Sequence, residues 1–193
     1  MSSRVKGQKR LQILAGEERS RIVDRPHRRN RSANHIEHRS KAVGLEQFLV
    51  KAKVSAYASG GEGGEGILTD GCKELAFQEG KFKYRDRYFG WNPFIGEEVV
   101  WEGDQVTWAM NYYGAVFNEV VPAGQVYAFL QRAMNQVKED RPFRGPPSLK
   151  EDDYEYLDES QGTVERFTGV EKIFYRGHEI YRLNYHGGMV KAK

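Results

Sequence analysis

The chain has 193 residues, 39% of them hydrophobic and 30% charged, with a formal net charge of +3. A core domain of about 150 residues buries roughly 68–70% of its unfolded surface and needs no covalent staple. Cys72 is the single cysteine, which excludes an internal disulfide and a cysteine-rich zinc site and fits a reducing cytoplasm. No apolar run reaches the length of a membrane span and no signal-peptide core opens the chain, so a soluble cytoplasmic protein without membrane contact is expected.

The charge is unevenly spread. Residues 1–42 hold 12 Lys+Arg against 4 Asp+Glu, or +8, and the remainder holds 18 basic against 23 acidic residues, or −5. With large apolar residues sparse in the first 42, that segment reads as a basic, disordered tail. Its cluster HRRNRS around Arg28, Arg29 and Arg31 suits weak, non-specific contact with phosphates, although a solvated tail is the simpler reading. Residues 43–193 read as a single mildly acidic domain, which is not a basic nucleic-acid surface.

From Gly44 to about Val54, Leu45, Phe48, Leu49 and Ala52 share one helical face, which predicts a short amphipathic helix packed on a sheet. The following SGGEGGEG satisfies GxGxxG but follows a helix, precedes strands and carries Glu62 and Glu65, which would repel a pyrophosphate. It is expected to be a mobile loop, with a lid over a pocket as the functional version of that reading, and no cofactor is implied.

Lys73–Gln78 and Lys81–Tyr88 read as strands joined at Glu79-Gly80. Phe94–Gly114, FIGEEVVWEGDQVTWAMNYYG, then reads as a hairpin closed by Gly103-Asp104. Ala123 to about Lys138 spaces Val126, Phe129, Leu130, Ala133, Met134 and Val137 as a second helix, and RPFRGPP ends it in a stiff extended loop.

The first hairpin recurs, 73 residues on, as Phe167–Gly187, FTGVEKIFYRGHEIYRLNYHG, closed by Arg176-Gly177. The likeness extends back, with Phe82, Tyr84, Asp86 and Gly90 echoed by Tyr154, Tyr156, Asp158 and Gly162. The expectation is an α+β fold of duplicated helix plus antiparallel β-meander units, about residues 72–114 and 148–188, forming a mostly antiparallel sheet with two main helices. Equivalent residues should then converge near a pseudo-twofold axis.

The turns set an expected register in which Trp101 faces Val106, Val99 faces Trp108, Phe174 faces Glu179 and Lys172 faces Tyr181. On that register Trp101, Trp108, Met110 and Tyr112, with Phe174, Tyr181, Leu183 and Tyr185, form the core face. The opposite face carries Glu98, Val100, Asn111 and Tyr113, and in the second copy Glu171, Ile173, Asn184 and His186, with Arg182 across from Glu171.

The ordered runs FLVKAKVSAYASGG, FKYRDRYFG, FIGEEVVW, VTWAMNYYG, RPFRGP, FTGVEKIFY and YHGG resemble a prokaryotic domain family of unknown function over roughly residues 44–190. The resemblance implies a domain that occurs alone or C-terminal to an XRE-type helix-turn-helix regulator, and it implies no activity. Here an arginine-rich tail stands where such a DNA-binding unit would be.

The excess of tyrosine and tryptophan over what one inner face needs suggests a small-molecule pocket with a few fixed polar groups. The candidate ligand-binding residues are Tyr84, Asp86, Glu98, Asn111, Tyr113, Arg144, Glu171, Asn184 and His186. A sensor-like binding module of unknown ligand is the leading reading. A hydrolase or isomerase using Glu98 or Glu171 with His186 is the second, and a protein-interaction module associated with transcription regulation is the third. His178 and His186 are too far apart along a hairpin for a metal site. The oligomeric state is left open.

Overall fold

The computed structural model describes residues 43–58, 66–117 and 120–191. The basic tail with Arg28, Arg29 and Arg31, and residues 59–65 of the glycine-rich segment, lie outside the described residues. The elements in chain order are α1 (Leu45–Ala58), β1 (Gly66–Ile67), β2 (Lys73–Glu79), β3 (Phe82–Gly90), β4 (Phe94–Glu102) and β5 (Gln105–Val116). There follow α2 (Ala123–Met134), β6 (Ser148–Glu151), β7 (Tyr154–Thr163), β8 (Arg166–Tyr175) and β9 (His178–Met189).

The strands form one sheet in the order β1-β2-β3-β4-β5-β9-β8-β7-β6, antiparallel at every pairing. Tight turns join β2 to β5 and β6 to β9 in succession, so sequence neighbours become sheet neighbours. The two runs meet where β5 pairs with β9, with Asn111 opposite His186, Tyr112 opposite Tyr185 and Tyr113 opposite Asn184. With two helices and a mostly sheet framework among the described residues, the class is α+β.

Both helices cover the same face. Phe48, Leu49, Ala52 and Ala56 form the buried stripe of α1, which lies on β2 and β3 and runs four residues beyond the expected end at Val54. The same stripe carries Lys53. In α2, Val126, Phe129, Leu130, Ala133 and Met134 face β7. That helix ends at Met134, before the expected Lys138, because Gln136 and Val137 bond back three residues to Ala133 and Met134 in a tightened final turn. Among the described residues no helix is long and apolar enough to cross a membrane.

The hairpins depart from the expected register at one residue each. Trp101 faces Val106 as expected, but Val100, not Val99, faces Trp108, leaving Thr107 as an extra residue on β5. In the second hairpin Phe174 faces Glu179 as expected, while Ile173 faces Tyr181 and Lys172 faces Arg182, leaving Ile180 extra on β9. A bulge sets two residues against one and re-phases the pleat beyond it. The expected face assignment is therefore corrected. Glu98 and Val100 join Trp108, Met110 and Tyr112 in the core, and Glu171 and Ile173 join Tyr181, Leu183 and Tyr185. Trp101 leaves that face and instead lies beneath the Arg85 guanidinium, 4.8 Å from its ring centroid. Glu171 opposes Leu183, not Arg182, and Arg182 pairs with Glu179 at the surface.

Candidate functional site

Two aspartates mark corresponding places on the inner face. Asp86 on β3 opposes Glu98, and Asp158 on β7 opposes Glu171. Each receives a tyrosine hydroxyl from two strands away: Tyr112 donates to Asp86 Oδ1 at 2.5 Å and Tyr185 donates to Asp158 Oδ1 at 2.9 Å. Both rings lie across a glycine of the intervening strand. A Cβ at Gly96 would fall on the Tyr112 hydroxyl, and one at Gly169 would fall within the Tyr185 ring. Only glycine leaves that path open.

Between the aspartates run two buried ion pairs. Lys53 of α1 donates to Glu98 Oε2, with both side chains fully buried. Arg144, from the loop after α2, grips Glu171 with Nε at 3.1 Å and Nη2 at 3.0 Å. Tyr156 and Tyr181 complete the Glu171 shell, donating at 2.7 and 2.9 Å. Burial and the Glu171 charge push both phenols well above their ordinary range, so they remain donors. Desolvation lowers the Lys53 pKa, and Glu98 acts against that shift.

The RPFRGP loop explains how Arg144 is aimed. Phe143 stacks on Phe167 at 4.0 Å, and the Gly145 amide donates to Tyr156 Oη at 3.0 Å. Three residues earlier, Arg141 reaches Asp158, with Nη2 2.5 Å from Oδ2, and Nε bonds Ser160 at 3.0 Å. The loop thus sends two guanidiniums to two buried carboxylates.

A cleft of about 380 Å³ opens between the end of α1, the outward side of α2 and the β2–β5 half of the sheet. Tyr88, Trp91, Phe94, Tyr112 and Tyr127 wall it, with Asp86, Arg144, Lys73 and Gln131 as its polar groups. The aromatic wall is braced: Trp91 and Phe94 meet Tyr127 edge-on at 5.7 and 5.9 Å. Tyr127 Oη also donates to the Trp91 carbonyl at 2.9 Å, and Asn92 makes a reciprocal pair of bonds with the Val116 backbone. Burial first, and the Glu98 charge second, push the Asp86 carboxyl up to about 7. Burial and Glu171 do the same to Asp158, again to about 7.

The residues proposed from sequence divide between two faces. Asp86 and Arg144 line the cleft, Glu98 and Glu171 lie buried beside it in ion pairs, and Tyr84 is packed in the core. Asn111, Tyr113, Asn184 and His186 do come together across β5 and β9, but on the exposed opposite face. A single site joining His186 to Glu98 or Glu171 is therefore not formed. Lys53, Arg141 and Tyr127 escaped sequence reasoning. A lysine in the apolar stripe of α1 was the available signal for the first, and the paired arginines of RPFR for the second. No cluster of three or more His, Cys, Asp or Glu suited to a metal occurs among the described residues.

Residues 86–190 match the family described as Domain of unknown function (DUF5680), and the chain belongs to that family. No curated protein and no solved structure matches the chain significantly.

Proposed function

We propose that the protein is a small-molecule-binding, sensor-like module whose site is the aromatic cleft over β2–β5. The observation that carries this reading is a nine-tenths-buried carboxyl group, Asp86, set into the wall of a braced aromatic cavity. At about 380 Å³ the space falls at the lower end of the range for ligand pockets, roughly 300–1,000 Å³, and its lining is mostly apolar with few polar groups, as such sites require. Turnover is not supported by the carboxylates proposed for it. Glu98 and Glu171 are each neutralised by a buried cation, and His186 faces away.

The chain is further read as a doubled unit. Support comes from the mirrored strand order, from bulges at Thr107 and Ile180 on matching strands, and from the repeated glycine, tyrosine and aspartate arrangement. The halves differ at the cleft, which opens on the first aspartate only.

Thermal-shift screening of the whole chain against a metabolite panel tests the binding reading, with Ala128→Trp as the blocking variant. Ala128 lines the cleft from the exposed side of α2, so the larger side chain fills the cavity without entering the core. A ligand at about 100 times its Kd stabilises by roughly 2.7 kcal/mol. A shift in the parent that is lost in the variant is expected. Stabilisation unaffected by Ala128→Trp would place the ligand outside the cleft, and none across the panel together with a co-purifying protein would favour the interaction module.

A further inference from the structure

The two aspartates share several features of their surroundings and differ in one that bears on the cleft. Each opposes a buried glutamate, each accepts a tyrosine hydroxyl, and they are 6% and 4% exposed. Asp158 also holds a guanidinium, that of Arg141, on its second oxygen. Among the described residues no second hydrogen-bond donor reaches Asp86, and its carboxyl group lines the cleft instead. Two of the neighbouring cations are seated on other carboxylates, Lys53 on Glu98 and Arg144 on Glu171.

We propose that the cleft binds a cationic ligand, a guanidinium, amidinium or primary ammonium group on an apolar or aromatic body, with its charge seated on Asp86 as Arg141 is seated on Asp158. This rests on the reading of the cleft as a ligand site and names the ligand class. The aromatic wall suits such a group, since ring faces attract cations, and the Lys73 ammonium already lies 5.3 Å over the Tyr88 ring at the rim. An anionic ligand would have to place its charge against Asp86.

The assignment predicts a proton linkage. The groups acting on Asp86 are Lys53 from α1, Glu98 from β4, Tyr112 from β5 and Arg144 from the loop after α2, and Lys73 from β2 and Tyr127 from α2 line the same cleft. With its carboxyl at about 7 in the free protein, a cation selects the ionised form and expels a proton. The ionised fraction rises roughly tenfold from pH 6 to pH 8, and affinity for a cation rises with it.

Benzamidine, with neutral benzamide and anionic benzoate as shape-matched controls, provides the test by isothermal titration on the full chain. Benzamidine should bind at least about tenfold more tightly than either control, gain about tenfold in affinity from pH 6 to 8, and release protons at pH 7, read from the buffer dependence of the heat. Asp86→Asn should erase the preference for benzamidine over benzamide. If that variant fails to fold, the pH profile and proton release of the unsubstituted protein decide. A pH-independent affinity, absence of benzamidine binding at millimolar concentration, or benzamide binding as well as benzamidine would overturn the proposal. Benzamide or benzoate binding as tight as that of benzamidine, and abolished by Ala128→Trp, would remove the cation while leaving the cleft as a site. No response to the panel or to any of the three probes would remove both.

Discussion

Replacing Asp86 by Asn should stabilise this protein at neutral and alkaline pH, although it removes a hydrogen-bonded, buried side chain. In the folded chain, burial and Glu98 hold the Asp86 carboxyl at about 7, against an ordinary 3.8. Between those values the folded state retains a proton that the unfolded chain has released. The unfolded state then binds fewer protons, so this group's contribution is fully present below 3.8 and is lost as pH rises to about 7. At about 1.4 kcal/mol per pH unit, that interval sets a ceiling of roughly 4 kcal/mol. Asn keeps an oxygen to accept the Tyr112 hydroxyl and carries no charge, so a net gain of about 1–3 kcal/mol at pH 8 is expected, falling to near zero at pH 4. Urea unfolding of parent and variant at one-unit steps from pH 4 to pH 9 reads the difference directly. A difference that does not change with pH would show that the Asp86 carboxyl is not pushed up by its burial.

Lys53→Met should destabilise by about 3–5 kcal/mol in denaturant unfolding, because it leaves the Glu98 carboxylate buried without a counter-charge, and adding Glu98→Leu should restore most of the loss. Gly169→Ala should cost about 1–3 kcal/mol or more by driving a methyl into the Tyr185 ring, whereas Gly124→Ala, which meets open space, should be neutral or slightly stabilising on the same assay. His186→Ala and Asn184→Ala, on the exposed face, should each stay within about 0.5 kcal/mol and leave ligand-induced thermal shifts unchanged.

Local patterns carried much of the fold. Gly103-Asp104 and Arg176-Gly177 marked both hairpin turns, and the apolar spacing of Phe48, Leu49 and Ala52 marked the inner face of α1. Asp86, expected from its place among aromatic strand residues, and Arg144, expected from its proline-braced loop, both line the cleft, though the pocket was expected between the two meanders. The faces of the hairpins were not. A period-two rule propagates a one-residue insertion along the whole strand, so missing Thr107 and Ile180 turned Glu98 and Glu171 outward and misdirected the search for their partners.

Turn chemistry and side-chain periodicity act between near neighbours, and for that reason the order of elements, the hairpin ends and the buried helix stripes could be inferred from the chain alone. The ion pairs depend on packing between distant segments: Lys53 meets Glu98 across 45 positions and Arg144 meets Glu171 across 27. Which aspartate acquires a guanidinium and which is left facing a cleft depends on where α2 and its loop dock on the sheet. Folding brings Arg141 to Asp158 and opens an aromatic hollow at Asp86, so two carboxyl groups that look alike in the sequence end in different chemical surroundings.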